Sequence, residues 1–353
     1  MSSKNSGNVR PLNVVVQRGS HAEKIVRARA ALPGGVTPQT DALVPGVKPT
    51  PAQDLVFHGG KTIRDLVFTN LYVGGQHAWK VSDIHHIDKS LAAAMTDTQL
   101  NNVMVQYFPN QQITSRFVPS QVLPGSKPSV VSGGDVEKLV KQLYVQGHFT
   151  GSDLANTVFN FVLPSGTVLT TDEAPTHVEG GVQVAAQKNP VKPEEAVSSI
   201  EGLGGFHGSV HVSAHEVVYY AVGVYSETFA DGTDNGIVAF DHPWKNVVAT
   251  FYHELQEART DADVEDAIRA GNDPKAVKFL GWVSRFGDEC GDFPMTEAGS
   301  RLQLVMKEVK VADGSVVPVQ FQYSNAVHGP EGQIAAPHHK KTHTHTSADR
   351  RRV

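Results

Sequence analysis

One cysteine in 353 residues, Cys290, leaves no partner for an intramolecular disulfide, so the thiol-stapled scaffolds of small secreted domains are excluded. Positive charge is not in excess either. Lys and Arg number 31 against 36 Asp and Glu, a formal net charge of −5, so no global field draws the chain to nucleic acid. The apolar runs are all too short to span a bilayer. The start, MSSKNSGNVRPLNVVVQRG, has no continuous apolar stretch of the kind an exported precursor shows. The glycine-rich segments fit neither a phosphate-binding loop nor a dinucleotide fingerprint. What remains is a 40% hydrophobic chain with 32 Gly and 20 Pro, long enough for a large core and rich in turns. That describes a globular enzyme or binding protein.

Residues 1–53 read as a flexible leader, with a short strand at Asn13–Val16, a short helix at His21–Ala31 and Pro/Gly-punctuated sequence through Pro51. From His328 the chain reads as a disordered, His-rich basic tail, HGPEGQIAAPHHKKTHTHTSADRRRV. Between them, 54–327 is expected to be one globular unit that mixes strands and helices. Leu66–Val73 and Val158–Leu163 suit buried strands, and Ser82–Phe108 two helical stretches broken near Thr96–Thr98. Asp135–Gln146 suits a helix capped by Ser132 or Asp135. Residues 178–205 lack periodicity and read as an inserted loop. Ser209–Tyr225 alternates and suits one or two strands. A helix starts at Asp241-His242-Pro243 and runs to about Thr260, with Val247, Val248, Phe251, Leu255 and Ala258 at helical spacing. Leu302–Val311 and Val316–Tyr323 suit a hairpin turning at Asp313-Gly314.

The 243–260 helix carries chemistry in FYHELQEARTD. Residues four apart share a helix face, so His253 and Glu257 converge on one point. An imidazole and a carboxylate so placed can chelate a divalent ion, as the two histidines of H-E-x-x-H do. In that arrangement the glutamate after the first histidine takes a proton from metal-bound water, the position of Glu254 here. H-E-x-x-E exchanges one nitrogen for a harder oxygen, which leaves zinc possible and opens the site to Mn²⁺, Mg²⁺ or Ca²⁺. The competing interpretation is a solvated helix face with ion pairs such as Glu257 with Arg259.

A second acidic group, Asp288, Glu289 and Asp292, lies between Gly287 and Gly291, which let the backbone turn its carboxylates inward. The alternative is an acidic surface turn. GFHGSVHVSAHE supplies further histidines: His211 and His215 would share a strand face by period two, and His207 would sit in a Gly-flanked turn just ahead. As packing or surface histidines they would need no ligand. A strand followed by an H-E helix is, by analogy, the order of zincin-type hydrolases, whose edge strand lines the substrate cleft. Cys290 makes a poor nucleophile, because its acidic neighbours raise rather than lower its pKa.

Taken in order, these motifs resemble the EXORDIUM-like, or phosphate-induced, protein family over roughly residues 55–327. Phe57-His58-Gly59-Gly60 is similar to the family's Y-H-G-G, and Gly205-Phe206-His207-Gly208-Ser209 to its G-F-H segment. Tyr252–Asp261 resembles its H-E-L-A-E helix, Glu289-Cys290-Gly291-Asp292 its E-x-G-D, and Val319–Asn325 its closing strand. Cys290 departs from the pattern by falling between the glutamate and the glycine. The resemblance implies an extracellular, cell-wall or growth-associated setting for plant members, and no settled reaction. With it, the expected fold is α/β or α+β: a single mixed-sheet domain with a zincin-like active-site helix packed across the sheet, flanked by flexible tails. The expected function is a zincin-like metal-dependent hydrolase, most plausibly a peptidase. His253, Glu257 and Glu289 would bind Zn²⁺, with Ca²⁺ or another divalent ion as alternatives. Glu254 would be the general base, His207 would stabilise the oxyanion, and Asp261 or Asp292 would orient ligands. A peptide or cell-wall-associated substrate is the implied partner. The alternatives are a non-catalytic binding or signalling module with a structural ion, and a polar core with no ion.

Overall fold

The computed structural model describes residues 44–171 and 197–338, apart from Asn272, together with three short strands at Val14–Val16, His177–Glu179 and Val182–Val184. The expected helix at 21–31 and the sequence beyond 338 lie outside the described residues. The architecture is mixed α/β. A seven-stranded sheet is built from β1 (Val14–Val16), β2 (Asp65–Tyr72), β3 (Thr114–Phe117), β4 (Gln121–Val122), β5 (Thr157–Val162), β6 (Leu203–His211) and β7 (Val217–Gly223). Its order is β1-β6-β7-β5-β2-β3, with β4 also beside β2. β7, β5, β2, β3 and β4 run parallel, whereas β6 is antiparallel to β7 and β1 antiparallel to β6. No helix is long and apolar enough to cross a membrane.

Among the described residues there are six α-helices: α1 (Val81–Thr96), α2 (Thr98–Asn101), α3 (Gly133–Val145), α4 (Pro243–Thr260), α5 (Val264–Ala270) and α6 (Asp292–Ala298). Asp97 separates the first two, closing α1 and capping α2 through a side chain that accepts from the Leu100 N–H at 2.8 Å. Ser132 and Asp135 form a reciprocal capping box at the start of α3. Pro243 occupies the first turn of α4, where its missing N–H costs nothing.

Strand periodicity sorts the core into two layers. Phe68, Val158, Val162, Tyr219 and Ala221 pack with Ile87 and Leu91 of α1 and Val247, Phe251 and Leu255 of α4. Phe159, Phe161, Phe206, Val218, Tyr220 and Val222 face the other way, onto Val136, Val140 and Leu143 of α3. Successive residues of β6 alternate likewise. Phe206 and Val210 belong to the α3 layer, which puts Gly205 and His207 on the face that carries α4.

Several expectations are corrected. Residues 178–205 are not wholly an inserted loop: His177–Glu179 pairs with Val182–Val184, and β6 already begins at Leu203. His207 is therefore in mid-strand rather than in a turn. His211 ends β6 and His215 lies in the bend before β7, so they share no strand face. The 302–323 hairpin exists as β8 (Met306–Lys310) and β9 (Val316–Gln320), but Leu302–Leu304 is a 3-10 turn. The chain breaks at Phe321 into β10 (Gln322–Ser324), which pairs with β11 (Gly329–Glu331). Packed structure thus reaches past both expected limits. Val44 and Val47 are buried, the Thr50 N–H donates to His328 O at 2.6 Å, and His328 pairs with Asp54 at 2.9 Å.

Candidate metal centre

α4 is buried on every side from Asn246 to Thr260. A helix so enclosed is normally apolar all round, yet this one carries His253, Glu254, Gln256, Glu257, Arg259 and Thr260, each fully buried. The solvated-face interpretation fails with that observation. Arg259 turns to the opposite side, donating to Thr114 O at 2.9 Å and to Ser115 Oγ, and burial pulls its guanidinium down to about 10. Gln256 donates to Asn101 Oδ1 at 2.8 Å.

On the face toward β6 and the 288–292 loop, two ligand groups share one carboxylate. His253, Glu257 and Asp292 form one, and His207, Glu257 and Glu289 the other; in each, three donor atoms lie within 4.8 Å of one another. Such buried His/Glu/Asp groups could hold a metal ion. His253 Nε2 is 3.0 Å from Glu257 Oε2. His207 Nδ1 lies 3.3 Å from Glu254 Oε2 and 3.9 Å from Glu257 Oε2, and its Nε2 is 3.6 Å from Glu289 Oε1. Asp261, at the C-terminus of α4, offers its backbone carbonyl to His207 Nε2 at 3.3 Å, while its side chain accepts from the Gly281 N–H at 2.7 Å.

The geometry also fixes which nitrogen of His253 is available. Gln320, the last residue of β9, donates its amide to Gly291 O at 2.6 Å, so its oxygen faces His253 Nδ1 at 2.8 Å. An oxygen there requires Nδ1 to carry the hydrogen. The neutral ring then presents a bare Nε2 lone pair to a carboxylate oxygen, a repulsive contact unless a proton or a cation lies between them. His253 Nε2, Glu254 Oε1, Glu257 Oε2, Asp261 Oδ2 and both Glu289 oxygens are buried without a hydrogen-bond partner. Unpaired polar atoms so concentrated are rare in a folded interior. A cation would engage those of His253, Glu257 and Glu289, which belong to the two ligand groups, so the donor set fits a divalent ion.

Among the described residues, no lysine or arginine makes an ion pair with any of these five carboxylates. Burial pushes Glu254 up to about 8, with the His207 hydrogen bond opposing and Glu257 adding to the shift. Burial raises Glu289 well above the usual carboxylate range, and Glu257, Asp261 and Asp292 raise it further. Asp261 and Asp292 are pushed well up, again mainly by burial. Burial alone would lower His253, but the neighbouring Glu257 outweighs it and raises the imidazole.

All seven side chains proposed from the sequence for catalysis, metal binding or orientation therefore meet in one cluster. Within it, Glu289 groups with His207 around Glu257, whereas Asp292, expected only to orient ligands, groups with His253. Asp292 also accepts from the Glu289 N–H at 3.0 Å. His58 stays apart, its backbone N–H bonded to Gly281 O at 2.8 Å. Cys290 is buried against Thr260 and Gln322, and burial raises its thiol well above the usual value.

Two contributors were not legible as functional from the sequence. Gln320 stands in a Val-rich strand, where only the polar side chain inside an apolar alternation signals it. Gly291 was read as a turn residue, yet its φ is −94° and its importance is close approach: a Cβ there would lie 2.3 Å from His253 Nδ1. Comparison with known family models, with curated proteins and with solved structures finds no match.

Proposed function

We propose that this protein is a zincin-like metal-dependent hydrolase acting on peptide bonds. The observation that carries the reading is the 3.0 Å approach of His253 Nε2 to Glu257 Oε2, with Nδ1 engaged by Gln320 and Glu254 one residue along the same helix. His253, Glu257 and Asp292 would hold the ion, and the mixed nitrogen and oxygen donors suit Zn²⁺, with Mn²⁺ as the nearest rival. A divalent ion there supplies Lewis-acid polarisation of a carbonyl and of water. The chain's own residues do the rest. Glu254, whose Oε1 has no hydrogen-bond partner, accepts the proton of the attacking water and returns it to the leaving amine. His207, 3.3 Å from Glu254, is placed to donate to developing negative charge. Asp261 and the Gly281 N–H brace the end of the helix. The motifs that resemble the EXORDIUM-like family supply His207, His253, Glu254, Glu257, Glu289 and Asp292, and these six side chains lie together.

The test is Glu254→Gln, assayed on a peptide library beside the wild type. Hydrolysis should fall by about 10²–10⁴-fold with metal content and melting temperature retained. Unchanged hydrolysis would contradict the reading. The complete burial of the cluster favours one rival, a non-catalytic module with a structural ion. Under that rival the wild type binds metal and cleaves nothing.

A further inference from the structure

Glu289 is the carboxylate that a single ion on His253, Glu257 and Asp292 leaves without a task. It is fully buried, neither of its oxygens has a hydrogen-bond partner, and Oε1 lies 3.6 Å from His207 Nε2. His207 repeats the arrangement of His253. In His253 the Nδ1 side meets an acceptor oxygen on Gln320, and Nε2 faces Glu257 Oε2. In His207 the Nδ1 side meets Glu254 Oε2 at 3.3 Å, and Nε2 faces Glu289 Oε1, with the Asp261 carbonyl oxygen also 3.3 Å away. Both ring nitrogens of His207 thus face oxygens, and a neutral imidazole has one hydrogen for the two. Metal-binding histidines commonly direct their other N–H at a carboxylate. With the hydrogen on Nδ1 and directed at Glu254, Nε2 presents a lone pair to Glu289. Glu257 is turned to both rings. Its Oε1 accepts from the Gly291 N–H at 2.9 Å, which leaves Oε2 facing His253 Nε2 at 3.0 Å and His207 Nδ1 at 3.9 Å.

The distances suit coordination. Ligands on a tetrahedral ion with bonds of about 2.0–2.2 Å lie about 3.4 Å apart. That falls between the 3.0 Å from His253 Nε2 to Glu257 Oε2 and the 3.6 Å from His207 Nε2 to Glu289 Oε1. Among the described residues the donors close into two triads that share only Glu257, and neither triad contains both histidines. Charge points the same way. Ionised, the five buried carboxylates carry five negative charges, of which one divalent ion balances two and a pair balances four. We infer that the centre binds two divalent cations side by side, the first on His253 and Asp292, the second on His207 and Glu289, with Glu257 bridging them. Each position offers one imidazole and two carboxylates, a set that Zn²⁺ and Mn²⁺ both accept. The inference rests on the metal-dependent reading for its first ion and deepens it. His207 then meets negative charge on a reacting carbonyl through the ion it holds rather than through its own N–H.

The test loads the full chain with Zn²⁺, dialyses it and counts the metal by elemental analysis in the wild type, Glu289→Gln, His207→Ala and His253→Ala. All four carry the same C-terminal histidines, so only the differences matter. Glu289→Gln and His207→Ala should each lose about one equivalent relative to the wild type and keep the equivalent that His253→Ala loses. Loss in His253→Ala alone would overturn the second ion and leave the first. No loss in any variant would overturn both. Low-temperature electron paramagnetic resonance of the Mn²⁺-loaded wild type is a second readout that needs no variant to fold. A bridged pair should give a spin-coupled spectrum, which Glu289→Gln converts to the hyperfine pattern of isolated Mn²⁺. That isolated pattern in the wild type at every loading would overturn the pair. Neither readout depends on turnover. A chain that binds the pair and cleaves no peptide keeps the two-ion centre and loses the hydrolase reading. A chain that hydrolyses peptide with one equivalent bound, and equally fast as Glu289→Gln, keeps the enzyme and loses the second ion.

Discussion

Gln320 and His253 meet through a single hydrogen bond that decides which ring nitrogen is free for a ligand. Partners of this kind commonly contribute 10–100-fold to metal affinity. Gln320→Leu keeps the volume and removes the acceptor, so the Kd for Zn²⁺ measured against a competing chelator should rise by about that factor. An unchanged Kd would mean that the tautomer is set elsewhere. Gly291→Ala forces a Cβ to within 2.3 Å of the same ring and should both destabilise the fold and displace the imidazole. Away from the centre, Glu265 offers a clean pH test. It is buried near Arg269 and Glu137, and burial pushes it up to about 7 from 4.5, with Arg269 opposing and Glu137 and Asp266 adding to the shift. A carboxyl raised on folding favours the native state while protonated. Its contribution is therefore complete below pH 4.5 and lost as pH climbs to about 7, at most about 3 kcal/mol. Glu265→Gln should flatten that part of the denaturation profile against pH, and an identical slope would refute the assignment.

α4 is the element on which the site depends, and it is held by apolar contacts on the side away from the carboxylates. Phe251 is fully buried between the sheet and α1, so Phe251→Ala should cost about 3–5 kcal/mol in urea unfolding. Loss of metal at denaturant concentrations where the fold survives would show that the helix has shifted. The helix was readable from the sequence because Val247, Val248, Phe251, Leu255 and Ala258 obey a 3.6 period and Pro243 marks the start. That its polar face is also buried was not, since the same residues on an exposed helix would give the same pattern. β6 hid for a similar reason. Leu203-Gly204-Gly205-Phe206-His207-Gly208 is dense in glycine and reads as a turn, whereas close approach of β7 and α4 demands glycine at 205: a Cβ there would sit 2.5 Å from Val222 O of β7 and 3.2 Å from Thr250 of α4. The pairing of β10 with β11 escaped because its second strand, Gly-Pro-Glu, carries no strand propensity.

At the scale of the molecule, the sheet delivers His207 to one face, α4 supplies His253, Glu254 and Glu257, and the loop ahead of α6 and that helix's first residue supply Glu289 and Asp292. Three stretches far apart in sequence are needed for one centre, so ion binding should be coupled to global stability. A ligand at a hundred times its Kd adds about 2.7 kcal/mol. The melting temperature should therefore rise with added Zn²⁺ and fall in EDTA, an effect that Glu257→Ala abolishes. Whether the His253–Glu257 pair holds a divalent ion is decided by elemental analysis of the full chain beside its His253→Ala variant. Both proteins carry the same histidine-rich C-terminal sequence, so its contribution cancels in the difference. About one equivalent of divalent metal per chain should be lost in the variant, and equal metal content in the two proteins would contradict a metal centre at this pair.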